Sequence, residues 1–289
     1  MYHIIVNPQG GKGKSLKALT KVCKILSDND AEFCVHHTER KGHATEIARE
    51  LSHEPDCKLL VMGGDGSFNE VLCGIENFEN VTLGLIPCGT GNDFVRASGH
   101  PTNIKKAMEV VLRGETDYID YIQLTNGRCL NVLGAGMDVD VLLKYESMKH
   151  KRTLNYYMSL FYTLTHVRFH HMRVTIDGGE PMERNVFMIG IGNGQCIGGG
   201  MPVCPGAVID DGKLQVVIIN EIPKSKILGA VLKFLKGKHV KLACTEVLEG
   251  KNVQIEILDD SRFEADGEIM SPMHTLEAQV VSNKLKIFA

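Results

Sequence analysis

Three glycine-rich turns in the first hundred residues carry groups that suit a phosphate and a divalent cation. They read "NPQGGKGKS" (7–15), "GGDGSFNE" (63–70) and "GTGND" (89–93). Glycines let backbone N–H groups approach an anion closely, and a helix that begins directly afterwards adds its positive end. The carboxylate of Asp65 would repel a phosphate in the same turn unless a cation lay between them, which suggests Mg²⁺. By itself, however, Gly-Asp-Gly is also a common tight turn.

The first turn nearly matches a P-loop, G-x-x-x-x-G-K-[ST], but Pro8 stands where that motif needs glycine. Proline has no N–H to give to a phosphate and holds φ near −65°. We therefore interpret the turn as another kind of nucleotide loop, in which Asn7, Gly10 and Gly11 make the contacts.

The second turn leads into a predicted helix. Ser67 and Glu70 have the spacing of a capping box, with Ser67 as the N-cap residue. We therefore predict that the helix begins at Ser67 and directs its positive end at the ligand of the loop.

Two acidic turns occur late in the chain, "VIDDGKL" (208–214) and "FEADGEIM" (263–270). Asp-Gly is the commonest dipeptide of tight hairpins, so both sequences are explained by turns alone. The carboxylates of Asp210 and Asp211 could equally form a metal site, and Asp266 and Glu268 are the acids of the second turn. The residues by themselves leave both interpretations open.

The elements that must position these turns follow two patterns. Up to about residue 116, short β-rich runs alternate with helical patterns, which predicts a doubly wound parallel sheet with ligands at the carboxyl ends of its strands. The later runs are strand-like and joined by turns, which predicts a mostly antiparallel β-sandwich. We predict an α/β domain at 1–122, rejoined by a last strand at 284–289, and a β-sandwich domain at 123–283.

Composition excludes several classes of protein. The chain has 289 residues, 43% of them hydrophobic, and a net charge of −3, which gives no global reason to expect a nucleic-acid partner. Its nine cysteines are scattered without a C-x-x-C pair, which favours reduced thiols. No apolar run approaches the ~20 residues of a membrane span. We expect a cytoplasmic protein that meets a membrane only at its surface.

Taken together and in order, the motifs resemble those of a known family. They are Asn7-Pro8 with Gly10-Gly11, Thr38 with Gly42-His43-Ala44, Gly63-Gly64-Asp65-Gly66, Gly89-Thr90-Gly91-Asn92-Asp93, and Asp266-Gly267-Glu268. This set is similar to the diacylglycerol kinase catalytic-domain family, particularly its soluble bacterial lipid kinases, and the resemblance spans the whole chain. It implies an ATP- and Mg²⁺-dependent lipid kinase whose active site lies in the cleft between the two domains.

The resemblance also implies roles for individual residues. Those expected to bind the nucleotide are Asn7, Pro8, Gln9, Gly10, Gly11, Thr38, Gly64, Asp65, Gly66, Ser67, Phe68, Asn69, Glu70 and Thr90. Asp266 would be the general base toward the lipid hydroxyl, with Glu268 beside it. Asp65, which is also counted among the catalytic residues, and Asp120 would reach the catalytic Mg²⁺.

A second, structural Mg²⁺ is implied at the first acidic turn. Its ligands would be the Asp211 side chain and the backbone carbonyls of Val208 and Lys213.

Two other functions stay open. NAD kinases and phosphofructokinases share a GGDG loop, although the Asn7-Pro8 start, the GTGND turn and the late Asp-Gly-Glu turn argue against them. The second alternative is a protein that binds nucleotide or lipid but has lost catalysis. Such a protein would have no evident need of Asp65, Asp266 and Glu268.

The segment 149–174, "KHKRTLNYYMSLFYTLTHVRFHHMRV", mixes basic and aromatic residues as a contact with an anionic bilayer would. A helix packed on its own β domain, followed by a strand with a solvated basic face, would have the same composition. We expect a lipid substrate reached at the inner face of the membrane, no nucleic-acid partner, and leave a homodimer open.

Overall fold

The computed structural model describes residues 1–8, 10–148 and 153–289. The strands there are β1 (Tyr2–Val6), β2 (Phe33–His37), β3 (Cys57–Gly63), β4 (Val81–Pro87), β5 (Thr116–Leu124), β6 (Gly127–Cys129), β7 (Val132–Gly136), β8 (His170–Ile176), β9 (Met182–Gly192), β10 (Cys196–Ile197), β11 (Met201–Pro202), β12 (Leu214–Asn220), β13 (Thr245–Gly250), β14 (Asn252–Ile257), β15 (Phe263–Ala265), β16 (Glu268–Ile269) and β17 (Thr275–Phe288). The helices are α1 (Lys14–Asp28), α2 (His43–Leu51), α3 (Asp65–Gly74), α4 (Asp93–Ala97), α5 (Ile104–Arg113), α6 (Met137–Glu146), α7 (Thr153–Thr165) and α8 (Lys224–Phe234).

The first four strands form a parallel sheet in the order β2-β1-β3-β4. Successive side chains of a strand point to opposite faces, so Ile4 packs with α1 and α5 while Ile5 packs with α2 and α3. Helices therefore cover both faces. This confirms the predicted doubly wound α/β arrangement.

The last strand of the chain returns to this sheet. The end of β17 pairs in parallel with β4 at Lys286 and Ile287, and antiparallel with β5, while its earlier part pairs with β14. The strands β5 and β17 thus connect the parallel sheet to the rest of the molecule. The domain boundaries given above remain predictions.

The second half is mostly antiparallel and built around β9, which pairs with β7, β8 and β12. One face of these strands buries a core that includes Met172, Ile189 and Ile255. The other face is covered by α6, α7 and α8 through residues such as Val141 and Ile227. This confirms the predicted mostly antiparallel β domain and its two helical interruptions.

None of the helices in the described ranges is long and apolar enough to cross a bilayer.

Gly74 permits the close packing of α3 on α2, because a Cβ atom there would lie 2.2 Å from the Thr45 carbonyl oxygen and 2.9 Å from Ala48 Cβ. We expect Gly74→Ala to lower the free energy of unfolding by about 1–3 kcal/mol through overpacking. Gly229 in α8 is the matched control, since within the described chain no atom lies within 4 Å of an added Cβ. There the same change should stabilise by about 0.5–1 kcal/mol. Urea unfolding followed by circular dichroism measures both, and equal effects would contradict the packing argument.

Candidate active site

The carboxyl ends of the four parallel strands lie level with one another. Val6 is opposite both His37 and Met62, and Gly63 is opposite Pro87. The loops that follow therefore meet at one edge of the sheet, as predicted. The loops after β1, β2 and β3 border a cleft of about 540 Å³, and the predicted nucleotide-binding residues that line it are Asn7, Pro8, Gly10, Thr38, Gly64, Gly66, Ser67 and Glu70.

The first loop is folded tightly ahead of α1. The Gly10 N–H donates to the Asn7 carbonyl at 3.0 Å, and the Gly10 carbonyl accepts from the fully buried Ser15 hydroxyl at 2.9 Å. A Cβ at Gly10 would lie 2.6 Å from that hydroxyl oxygen, so the turn requires glycine. Gly11 lies in the short 3₁₀ turn Gly10–Gly13, and Gln9 lies outside the described residues.

The second and third loops touch through their backbones. The Gly63 carbonyl accepts from the N–H groups of Cys88 at 2.7 Å and Gly89 at 3.1 Å. An added Cβ at Gly64 would lie 3.0 Å from Gly89 Cα, and one at Gly89 would lie 2.5 Å from Gly64 Cα. The glycines are therefore required by loop contact as well as by any ligand.

The predicted capping box at Ser67 is wrong. The helix α3 begins at Asp65 with Gly64 as N-cap, and the Gly64 carbonyl accepts from Ser67 N–H at 2.9 Å and Phe68 N–H at 3.1 Å. In the described part of the chain, no side chain caps this end. Gly64 is extended, and its contact with Gly89 makes the chain turn two residues earlier than the local sequence indicates.

Two carboxylates flank the third loop. The Asp65 Oδ1 atom accepts from the N–H of Phe94 at 2.9 Å, and Asp93 Oδ2 accepts from the N–H of Gly199 at 2.7 Å. A Cβ at Gly91 would lie 3.0 Å from Asp65 Oδ2 and 3.4 Å from Asp93 Oδ2. The two acids thus lie on either side of the same backbone position.

Asp93 was not predicted as a site residue, although it belongs to the GTGND turn. Its side chain is buried, and Oδ1 accepts no hydrogen bond from the described residues, with Arg96 Nη1 at 3.5 Å. Burial raises the pKa of Asp93, and the negative charge of Asp65 raises it further. A buried carboxylate oxygen of this kind beside a second carboxylate fits Mg²⁺, whose remaining ligands are usually waters and phosphate oxygens.

The other predicted nucleotide-binding residues are placed differently. The Phe68 side chain is fully buried in the core between the sheet and α2, so it can offer a ligand only its backbone. Thr90 is exposed on the third loop. Asn69 and Glu70 line a second cavity of about 230 Å³, which also contains Lys41, Asp266 and Glu268. This cavity joins the glycine loops to the acidic turn of the β domain.

Asp266 lies in the β15–β16 hairpin, with φ of 50° followed by Gly267 at 84°. Its carboxylate accepts from the N–H groups of Leu130 at 2.8 Å, Asn131 at 2.8 Å and Val132 at 3.3 Å. Burial raises the pKa of Asp266, and these hydrogen bonds lower it in part. The sequence therefore placed the acid in the correct turn, and the fold supplies donors that orient it.

Lys41 is a site residue that sequence reasoning missed. Its Nζ atom lies 2.6 Å from Glu268 Oε2, and both side chains are exposed. The hydrogen bond to Glu268 raises the pKa of Lys41. Lys41 lies in the loop "HTERKGHA" (37–44), but its partner is 227 positions away, so local sequence gave no sign of the pair.

The turn predicted to hold the structural Mg²⁺ lies next to Asp120. Asp120 is buried and its Oδ2 accepts from the N–H of Gly212 at 2.7 Å, while Asp211 Oδ1 accepts from the N–H of Lys213 at 3.0 Å. Burial raises the pKa of Asp120. Across the described residues, no three or more His, Cys, Asp or Glu side chains cluster as metal ligands. The ligand roles of Asp211, Val208, Lys213 and Asp120 remain predictions.

Two family models match successive parts of the chain. Residues 1–124 match the family model of the diacylglycerol kinase catalytic domain. Residues 131–289 match the YegS C-terminal NAD kinase beta sandwich-like domain. A diacylglycerol kinase from Staphylococcus saprophyticus is 29% identical over 275 residues, which cover 92% of this chain and 88% of that protein.

Solved structures agree with the fold. A crystal structure of a proposed diacylglycerol kinase from Bacillus anthracis has a TM-score of 0.81 at 26% identity, covering 99% of this chain and 94% of that one. An NAD kinase from Archaeoglobus fulgidus in complex with ATP has a TM-score of 0.52 at 12% identity, covering 100% of this chain and 94% of that one. At that identity the second likeness concerns the fold alone.

The contacts of Asp266 predict that it stabilises the fold. Asp266→Ala leaves three N–H groups without their acceptor, so we expect the free energy of unfolding to fall by about 1–3 kcal/mol. Asp266→Asn keeps an acceptor oxygen and tolerates the left-handed backbone, and should cost less. Glu268→Ala should change stability by less than about 0.5 kcal/mol, because its ion pair is exposed. Chemical denaturation tests the order, and equal losses for Asp266→Ala and Glu268→Ala would contradict it.

Proposed function

The chain belongs to the diacylglycerol kinase catalytic-domain family, and we propose that it is an ATP-dependent lipid kinase that phosphorylates diacylglycerol to phosphatidic acid. The observation that carries the proposal is the cavity that Asp266 and Glu268 line together with Gly66, Asn69 and Glu70 of α3. A nucleotide held by the loops would present its terminal phosphate toward an acid that can accept a proton.

The glycine loops suit the binding of the nucleotide phosphates. Phosphoryl transfer has a negatively charged, loose transition state, so positioning and electrostatic stabilisation supply most of the catalysis. The start of α3 directs its first N–H groups and its positive end into the cleft. Mg²⁺, when bound, would neutralise phosphate charge, and Asp65 and Asp93 are the residues that fit it.

Asp266 is suited to take the proton of the acceptor hydroxyl. The three N–H donors stabilise its ionised form and fix its orientation, while burial keeps its basicity above that of an exposed aspartate. Glu268 holds Lys41 at the border of the same cavity. Lys41 thereby places a positive charge close to where the phosphoryl group would pass.

NAD kinase activity is the second candidate. It is favoured by the fold likeness to NAD kinases and by the shared glycine loop. The match of the first 124 residues to the diacylglycerol kinase catalytic domain favours the lipid instead. A relative without turnover is the third candidate, and a measured phosphoryl transfer would exclude it.

We expect the purified protein to transfer the terminal phosphate of labelled ATP to diacylglycerol in mixed micelles with Mg²⁺. Asp266→Asn should lower kcat by about 10²–10⁴-fold, the usual contribution of a general base. Because the base must be ionised, the rate of the wild-type enzyme should fall as the pH drops through a pKa above the ordinary aspartate value.

The matched control is Asp177→Asn. Asp177 also precedes glycine in a turn with φ of 49° and accepts from the N–H groups of Lys251 and Asn252, but it lies outside the cleft residues. That variant should retain activity. If no lipid is phosphorylated, or if Asp266→Asn is as active as wild type, the lipid kinase proposal is wrong. Labelling of NAD would favour the second candidate.

We further propose that α8 contacts the bilayer that carries the substrate. Ile227 and Val231 pack inward, whereas Leu228, Leu232 and Leu235 are spaced by four and three residues and are 69%, 55% and 51% exposed. Residues 222–245 contain six lysines and no aspartate or glutamate. A basic helix with an exposed apolar stripe fits an anionic lipid surface, whereas a second copy would oppose lysines to lysines.

Several basic side chains of the segment 149–174 are paired with acids of the β domain. Arg168 pairs with Asp260, Arg173 pairs with Glu183 and Glu256, and residues 149–152 lie outside the described chain. On α7, Leu160 and Leu164 pack on the β domain. Met158, Phe161 and Tyr162 are exposed, and Lys144 Nζ lies 3.8 Å from the centre of the Tyr162 ring. These exposed apolar residues of α7 are a second proposed contact with lipid.

Replacing Leu228 and Leu232 together by glutamine should weaken binding to phosphatidylglycerol-containing vesicles by about tenfold or more, because apolar area no longer enters the lipid. Sedimentation with vesicles measures this, and pure phosphatidylcholine vesicles should bind the wild-type protein more weakly. Leu258→Gln, at another exposed leucine, is the control. Unchanged vesicle binding in the double variant would exclude α8, and a monomer produced from a dimer would identify a second copy as its partner.

A further inference from the structure

Two buried carboxyl groups lie beneath the turn that carries Asp266 and Glu268. Glu264 is fully buried in β15, and its Oε2 accepts from the N–H of Gly267 at 2.7 Å. Its Oε1 has no hydrogen-bond partner among the described residues. Asp138, in the first turn of α6, likewise has both carboxylate oxygens buried. Neither oxygen accepts a hydrogen bond of good geometry from the described residues.

The two groups crowd the same point of the backbone. A Cβ at Gly134 would lie 2.0 Å from Asp138 Oδ2 and 2.6 Å from Glu264 Oε1. Gly134 is also the strand partner of Glu264 across β7 and β15. Only glycine leaves room for both carboxyl groups there, and two ionised carboxylates this close would repel each other strongly.

We propose that Glu264 and Asp138 retain a proton between them at neutral pH, and that the neutral Glu264 is a positioning residue for the Asp266-Gly267-Glu268 turn. The contact that transmits its effect is the hydrogen bond to the N–H of Gly267. The catalytic part of this inference rests on the proposed kinase function. The protonation and the contact with the turn do not.

The surroundings favour the protonated pair. Burial raises the pKa of Glu264 well above its usual range, the charge of Asp138 raises it further, and the Gly267 N–H opposes both. Burial likewise raises the pKa of Asp138 to about 7, against the nearby N–H groups of Val139 and of Asp138 itself. The titratable groups that face the pair from the packed elements are Cys129, Asp140, His170, Cys204 and Asp266.

Among these, His170 is the one base. It is fully buried, with Nε2 3.0 Å from Asp140 Oδ2 and Nδ1 3.2 Å from Asp259 Oδ2. Its two carboxylate partners offset its charge, so it neutralises Asp138 only in part.

A neutral Glu264 has a consequence for the proposed general base. An anion at Glu264 would disfavour ionisation of Asp266 two residues away, and it would repel incoming phosphates. With the proton retained, Asp266 can be the charged carboxylate and Glu264 the neutral acceptor of the turn. Environments that separate two neighbouring acids in this way are typical of acid–base sites.

The proton also links stability to pH. Both folded pKa values lie above those of the unfolded chain, so the folded state keeps a proton that the unfolded state releases above about pH 4. The contribution of Asp138 to stability is therefore lost as the pH rises through about 7, and that of Glu264 as the pH rises through its own raised pKa. Glu264→Gln stays neutral and should reduce this loss.

The decisive experiment follows the Gly267 amide by ¹⁵N–¹H NMR between pH 5.5 and 8.5, in wild type and in Glu264→Gln. We expect the wild-type signal to shift as the pH rises and Glu264 loses its proton, and the variant to lack that shift. Asp177→Asn, at a turn remote from the pair, should titrate as wild type. A Gly267 signal without a pH-dependent shift, or the same shift in wild type and in Glu264→Gln, would overturn the proposal.

Kinetics test the positioning role separately. Glu264→Ala should lower kcat on the order of 100-fold with KM for ATP nearly unchanged, because the base is displaced and the nucleotide loops are not. Glu264→Gln should recover most of that loss and remove the decline of kcat that ionisation of Glu264 causes in the wild-type enzyme at alkaline pH. Equal kcat in Glu264→Ala and wild-type protein would contradict positioning. If no lipid is phosphorylated, the kinase proposal fails, while the NMR titration still decides the protonation and the contact with the turn.

Discussion

The backbone contact between Gly64 and Gly89 is the constraint on which the site depends. The loops after β3 and β4 can approach this closely because both residues are glycine. A Cβ atom at either position would clash with the other loop. The helix α3 starts at Asp65, next to this contact, and Gly64, Gly66 and Ser67 at its N-terminal end line the cleft. The contact also brings Asp65 beside Gly91 and the buried Asp93. One close approach thereby fixes the residues that we propose bind the phosphates and Mg²⁺.

The acidic turn is held to this edge by different means. Asp266 is bound by three N–H groups of residues 130–132, which connect β6 to β7. Glu264 holds Gly267 from below, and Lys41 joins Glu268 to the loop after β2. Strands β5 and β17 join the parallel strands to the antiparallel strands within one continuous sheet. A rigid frame of this kind suits phosphoryl transfer, in which positioning supplies much of the rate.

Much of this arrangement was predictable from the sequence, because it is encoded locally. Alternating strands and helices with glycine turns at strand ends fix the parallel sheet, and Asp-Gly at 266–267 fixes the hairpin. What was missed depends on distant partners. Ser67 is not a cap because Gly89 changes the start of the helix, and Lys41 gains its importance from Glu268. In the sequence Glu264 is an ordinary strand residue, and only the fold brings it next to Asp138 and Gly134.

Hydrogen exchange measured with and without a non-hydrolysable Mg²⁺–ATP analogue tests whether the nucleotide binds at the carboxyl ends of the parallel strands. We expect slower exchange at 7–11, 64–70 and 89–93, and no change at the remote turn at 177–179. Unchanged exchange in all three loops, or protection confined to another surface, would contradict the assignment of this edge of the sheet as the nucleotide site.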